Sequence, residues 1–218
     1  MHLFTKTRFY ILALLLPIAG TALLNTVCAQ QPLPRHALQV VGGYGNHGSG
    51  DMRGVVFGVE YINYLKPKFS LVYNLRGSIN SSKHTIIVNN IDWGTSHDAS
   101  IRFTTAGVQL GVNGRLSAVR SSRHELALSL GAFGRYQSAS NGSDGYSLYN
   151  PNTTGVPTIL VGYQNNTPQE TLALGGLLQL EYNYTFRNKV YLGLLPAFQT
   201  DTNGDALPQL SLRVGKRL

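Results

Sequence analysis

Side chains of alternating polarity recur along this chain in short segments, and a segment of period two separates an apolar from a polar face only as a β-strand. The clearest is Phe69–Arg76, where Phe69, Leu71, Tyr73 and Leu75 are apolar and most residues between them are polar. A second sets Leu172, Leu174, Leu178, Leu180, Tyr182 and Tyr184 against Ala173, Gly175, Gln179, Glu181 and Asn183. Val55, Phe57, Val59 and Tyr61 alternate with Gly54, Gly58 and Glu60, and Leu210, Leu212 and Val214 with Gln209, Ser211, Arg213 and Gly215. Beyond Arg35 no stretch has a convincing helical period. The pattern predicts eight strands, at about 37–45, 53–64, 68–79, 102–115, 124–136, 171–185, 189–199 and 208–217.

Each segment is near the 9–11 residues that a tilted strand needs to cross a bilayer, and their number is even. Connections 64–68, 116–123 and 187–188 are short, whereas 80–100 and 137–169 are long. Short turns at one end and long loops at the other predict an all-β fold, an eight-stranded antiparallel transmembrane β-barrel in up-and-down order, with both termini at the short-turn end. A soluble β protein would bury the same apolar face instead. Three features favour apolar-out. The other face is rich in small residues (Gly107, Gly111, Ala127, Ser129, Gly131, Gly175, Gly193), which suit a narrow interior. Aromatic residues on the apolar face sit near strand ends: Tyr61, Phe69, Tyr184 and Phe186 at the short-turn end, Tyr44, Tyr136 and Phe198 at the other. They suit two interfacial girdles. The apolar set also lacks charge except for Lys216, which can snorkel from the rim.

The first residues supply an address. Lys6 and Arg8 precede an apolar run from Phe9 to Leu24, interrupted by Pro17, and Val27-Cys28-Ala29 places small residues at −3 and −1 of a cleavage site before Gln30. This is the layout of a secretory signal peptide over 1–29. Residues 30–35 then form a short lead and 36–218 the barrel. Cys28 is the sole cysteine, so an exported chain cleaved there has no thiol chemistry and no disulfide. Only 13% of residues are charged, about half the usual share, which disfavours a disordered chain or an ordinary cytosolic enzyme.

The eight alternating segments, a leader ending Cys28-Ala29-Gln30 and a terminal amphipathic strand resemble the small outer-membrane barrels of the OmpA-transmembrane and OmpX type, and more closely the porin-like outer-membrane β-barrel proteins of Bacteroidetes. The resemblance implies an integral outer-membrane protein without enzymatic activity or cofactor, whose partners are outer-membrane lipids and the barrel-assembly machinery. Two residues depart from it. Such chains commonly end in an aromatic residue, and this one ends in Leu218. Pro196 removes a ladder hydrogen bond and predicts a bulge.

Glu60, Asn74, Arg76, Glu125, Arg135, Gln179, Glu181 and Arg213 fall on the inward face. They would form a salt-bridged plug, since buried ions need partners, or, on a rival reading, line a polar path for small solutes. The basic residues Arg35, Lys66, Lys68, Arg115, Arg120, Arg123, Arg187, Lys189, Lys216 and Arg217 gather at the short-turn end. Charge spread around a rim predicts no nucleic-acid partner. In loops 80–100 and 137–169, Trp93, Tyr146, Tyr149 and Tyr163 stand among small polar residues, a composition that suits an extracellular protein or glycan. His47-Gly48-Ser49 with Asp51, and Ser96-His97-Asp98, hold the residue types of a hydrolase that could modify lipid A, but a polar loop tip accounts for them. Asp201-Thr202-Asn203-Gly204-Asp205 begins like a calcium loop, yet Ala206 and Leu212 occupy its glycine and glutamate positions, so it reads as a turn without metal.

Overall fold

The structure, a computed structural model, describes residues 34–218 except 49–51, 91–94, 99, 141–145, 157–158 and 164–168. The signal peptide expected over 1–29, its cleavage after Ala29 and most of the 30–35 lead lie outside the described residues. In chain order the elements are β1 (His36–His47), β2 (Met52–Tyr64), β3 (Phe69–His84), β4 (Ile87–Asn90), β5 (Thr95–Asp98), β6 (Ile101–Arg120), β7 (His124–Ala139), β8 (Tyr146–Tyr149), α1 (Pro151–Thr154), β9 (Leu160–Tyr163), β10 (Gln169–Thr185), β11 (Val190–Asp201) and β12 (Ala206–Arg217). Strands β1, β2, β3, β6, β7, β10, β11 and β12 form one closed antiparallel barrel, with β12 returning to β1. The pairs β4–β5 and β8–β9 are separate two-stranded hairpins.

The register fixes the barrel's geometry. Partners run Ala37, Ile62, Val72, Asn113, Gly131, Leu177, Gln199, Leu207. Continuing the β12–β1 register from Gln209 opposite Gly45 brings Leu207 to His47. The circuit therefore returns to β1 ten residues from where it started, a shear that tilts eight strands by roughly 40°.

The two faces are inverted relative to a soluble protein. Leu110, Leu130 and Leu174 are 66–69% exposed on the outside, while Arg76, Arg115, Arg135 and Arg213 are at most 2% exposed inside. Near the turn end the interior also holds a small apolar cluster of Ala37, Ile62, Tyr64, Val72 and Tyr191. Glycine makes room for the large inward side chains. A Cβ at Gly193 would collide with Asn183 and Arg213, and one at Gly131 with Asn113.

Several expectations need correction. Region 80–100 is not a plain loop. β3 runs on to His84 and pairs with β6 from Ile101, with the β4–β5 hairpin above. Region 137–169 likewise holds the end of β7, the β8–β9 hairpin, α1 and the start of β10. The extensions of β3 and β10 are polar on both faces, so period two disappears from their sequence although the ladder continues, whereas on β6 Ile101 and Phe103 fall on the inward parity. β6 reaches Arg120 rather than 115, and an irregularity between Ser117 and Val119 resets its register with β7. Pro196 causes no bulge. It pairs in register with Leu210, and the β10–β11 register is identical on either side of the gap opposite Leu180 and Glu181. The missing amide thus costs ladder contacts on one side only.

The β10–β11 turn carries local strain. Phe186 N–H donates to Val190 O at 2.7 Å and Lys189 N–H to Phe186 O at 3.2 Å. Lys189 sits at φ 64°, a left-handed conformation that favours glycine. Lys189→Gly is expected to stabilise the folded barrel by about 0.5–1 kcal/mol, measured as a higher urea midpoint for unfolding from lipid vesicles.

Candidate functional site: a charged lumen beneath long hairpins

The inward positions of the eight strands converge on three layers of charge. Nearest the turns, Glu125 accepts hydrogen bonds from Arg115 Nη1 (3.1 Å), Ser117 Oγ (3.0 Å), the Tyr64 hydroxyl (3.1 Å) and Arg217 Nη2 (3.2 Å). Glu181 accepts from Arg115 Nε (2.6 Å), Arg213 Nη1 (2.8 Å) and the Ser129 hydroxyl. Arg115 therefore bridges two acids, and Arg213 Nε donates onward to Asn183 Oδ1 at 2.7 Å. In the middle layer Glu60 pairs with Arg76, whose Nε lies 3.0 Å away, and accepts from Gln39. The Tyr191 hydroxyl donates to Gln39 Oε1 at 2.6 Å, and Gln179 accepts from Asn113 Nδ2 at 3.1 Å with the other end of its carboxamide 3.0 Å from Arg76 Nη1. In the layer nearest the long loops, Arg135 pairs with Asp201 and lies 3.8 Å from Asp205. His47 Nε2 is 3.4 Å from that Asp205 carboxylate and 3.3 Å from Gln137 Oε1.

The turn-end mouth is bolted by arginines. Arg120 lays its guanidinium 3.6 Å above the Tyr64 ring and donates to Pro34 O (2.6 Å) and Pro67 O (3.2 Å). Arg217 reaches Ser121 O at 3.2 Å. This corrects the reading of the basic rim: Arg115, Arg120 and Arg217 turn into the barrel. Asn113 and Arg115 already lie on the inward parity of the strand expected over 102–115, and Ser117 continues it, so counting in twos along β6 would have revealed them.

All eight residues expected in the lumen face inward, and Asn74 is the one whose side chain meets no partner among the described residues. Toward the long-loop end, polar atoms of Asn80, Gln109, Gln199 and Gln209 also lack partners there. The structure adds Gln39, Tyr64, Asn113, Arg115, Tyr191, Asp201 and Arg217 to the buried set. Tyr64 and Tyr191 gave no signal because an inward aromatic looks like a misplaced girdle residue.

Outside, Tyr44, Tyr61, Phe69, Tyr136, Phe186 and Phe198 are exposed, and Tyr184 is half-buried between His124 and Phe186. At the turn end, His36 stacks on Tyr61 with its Nδ1 2.8 Å from the hydroxyl, and His124 Nδ1 lies 3.0 Å from the Tyr182 hydroxyl. Phe69 and Ile79, both outward on β3, are ten residues apart. At about 3.3 Å per residue and roughly 40° of tilt they span about 25 Å, the height of a barrel's apolar band.

Of the loop residues, Trp93 lies outside the described residues, Tyr146 and Tyr163 are register partners in the β8–β9 hairpin, and Tyr149 is exposed. Leu148, Val156 and Leu160 are exposed beside it in sequence. In the other hairpin, hydrogen bonds from the Ser100 hydroxyl and amide, then Lys83 Nζ at 3.1 Å, hold the Asp98 carboxyl down at about 2. The hydrolase and calcium readings find no support. His47 points into the lumen, Ser49 and Asp51 lie outside the described residues, and Asp98 is engaged with Ser100 and Lys83. Asp201 is occupied by Arg135 and by the amides of Asn203 (3.0 Å) and Asp205 (3.3 Å).

Removing one partner of a buried ion pair strands the other charge, at a cost of about 3–5 kcal/mol. Glu181→Gln, which leaves Arg115 and Arg213 short of an anion, is expected to lower folded stability by several kcal/mol on that scale. The exposed Glu170→Gln is expected to change it by less than about 0.5 kcal/mol. Urea titration of both variants against the parent, followed by the gel shift of the folded form, reads the difference.

No family model matches the chain, and no curated protein sequence matches it. Among solved structures it is similar to Neisserial surface protein A, at 10% identity over 86% of this chain and 100% of that one, with a TM-score of 0.51. Alignments also exist with the N-terminal β-barrel domain of OprF from Pseudomonas aeruginosa (7% identity, 82% and 96% covered, TM-score 0.45) and with Ail, the attachment invasion locus protein of Yersinia pestis (9% identity, 84% and 99% covered, TM-score 0.41). At these identities the likeness is one of fold. With an apolar exterior, a charged interior and eight strands closed on themselves, the chain has the fold of a small outer-membrane β-barrel.

Proposed function

We propose that this chain is a non-enzymatic, integral outer-membrane protein, exported by its N-terminal leader, that presents two long hairpins on a rigid, internally plugged scaffold for surface contact with protein or glycan. One observation carries the reading: the lumen is filled by five acids (Glu60, Glu125, Glu181, Asp201, Asp205) matched against Arg76, Arg115, Arg135, Arg213 and Arg217. A stiff plug is the natural support for variable loops, because it fixes the strands that carry them. The exposed Leu148, Tyr149, Val156 and Leu160 give the second hairpin an apolar and aromatic surface of the kind that makes contacts.

A second reading, passage of small solutes, draws on the unpartnered amides of Asn80, Gln109, Gln199 and Gln209, which call for hydration in the half of the lumen nearest the long loops. The arginine-bolted turn end opposes continuity of that path.

Three measurements separate these readings. An outer-membrane fraction run cold and boiled in SDS is expected to show a mobility shift, since a closed ladder has no edge at which to fray. The purified barrel is expected to give no steady conductance in planar bilayers, and a stable ohmic step would favour the solute path. Cells carrying the chain without residues 146–163 are expected to lose adhesion to at least one member of a panel of immobilised matrix proteins and glycans, with the gel shift preserved.

A further inference from the structure

Outward positions at the long-loop end of three adjacent strands carry cations: Arg53 on β2, Lys83 on β3 and Arg102 on β6, all exposed. Lys83 and Arg102 are direct register partners, and Arg53 pairs with Ser81, the next outward residue below Lys83. Like charges directly opposite one another repel, so a sheet that keeps two of them together is suited to an anion between them. Asp98 neutralises part of the charge through Lys83 at 3.1 Å, leaving Arg53 and Arg102 without an acid partner among the described residues.

Their height identifies the anion. The last exposed apolar residues on these strands are Val55, Ile79 and Ala106, which are register partners of one another. Arg53 lies two residues beyond Val55, Lys83 four beyond Ile79 and Arg102 four beyond Ala106. At about 3.3 Å per residue and roughly 40° of tilt, Arg53 stands about 5 Å, and Lys83 and Arg102 about 10 Å, above the apolar band. That is the headgroup layer and the space just outside it, within reach of long side chains that bend toward it. Around the rest of the barrel the nearby outward positions are uncharged at Asn46, Ser138, Thr200 and Pro208, and acidic at Glu170. The cationic face is therefore one-sided.

We propose that Arg53, Lys83 and Arg102 form a docking surface for the phosphate groups of the phosphorylated glycolipid in the outer leaflet. Guanidinium pairs bidentately with phosphate, and two arginines flanking a lysine suit a headgroup bearing two phosphates. Asp98, fixed by Ser100, holds Lys83 against the hairpin and sets its position. This inference rests on the outer-membrane reading above.

The test uses the full exported chain, folded in a non-ionic detergent and titrated with bisphosphorylated lipid A, with adducts counted by native mass spectrometry. A saturable adduct is expected. It should weaken at least tenfold when the lipid's phosphates are removed enzymatically, and equally in the Arg53→Gln/Lys83→Gln/Arg102→Gln variant. Should the triple variant fail to fold, Arg53→Gln and Arg102→Gln separately are each expected to weaken the adduct severalfold. Equal binding by the variants, or by the dephosphorylated lipid, would overturn the proposal. So would heparin binding that depends on the three cations while the lipid adduct does not, which would place the polyanion outside the membrane. The gel shift of the same samples reports separately on the barrel, so its absence would mark a failure of the membrane reading and not of the docking surface alone.

Discussion

Every backbone amide and carbonyl that faces hydrocarbon must find its partner within the protein, and for a chain of strands that demand is met only by closure. The β1–β12 seam meets it here, and the rest of the molecule follows. Once eight strands close with a shear of ten, the apolar face has no direction but outward, and the other face encloses a space too narrow to leave empty. Glycines at Gly131 and Gly193 let arginine and asparagine side chains cross that space, and the acids of three different strands meet them there. The charged core is thus not an embellishment of the barrel. It is what a polar face becomes when it is wrapped around itself.

Much of this was legible in the chain because a strand advertises its faces locally. Phe69 through Arg76 can be assigned outward and inward by counting in twos, and the same count puts Glu60, Glu125, Glu181 and Arg213 inside. Pairing was not legible. Arg115 meets Glu181 across 66 residues and Arg217 meets Glu125 across 92, separations set by the shear and by no local pattern. Strand ends were the other blind spot. Where β3 leaves the apolar band both its faces become polar, so Ser81 to His84 resembled loop although the ladder with β6 runs on. At the opposite end the same ambiguity made Arg115, Arg120 and Arg217 look like a solvated rim. Pro196 misled for a different reason. A missing donor is a real loss, but strands held on both sides can forgo it without yielding an extra residue.

The fold is shared with outer-membrane barrels at sequence identities near one in ten, which is what the physics allows. Period two, interfacial aromatic residues and small inward residues constrain residue class far more than residue identity. The hairpins and the outward cations lie above the apolar band, where closure of the barrel places no demand on residue type.

The seam also sets the order of events in the life of the chain. Leu218 donates its amide to His36 O, and Arg217, one residue earlier, spans the lumen to Glu125. The contact that removes the last free edge thus joins the two extremities of the barrel sequence. A topology closed by its most distant residues has high contact order and folds slowly, and no partial length of it is free of an exposed edge. The barrel can therefore close only once the whole of its strand sequence is present. Until then a chain of alternating polarity keeps an unpaired edge, the kind of edge at which strands of separate chains join.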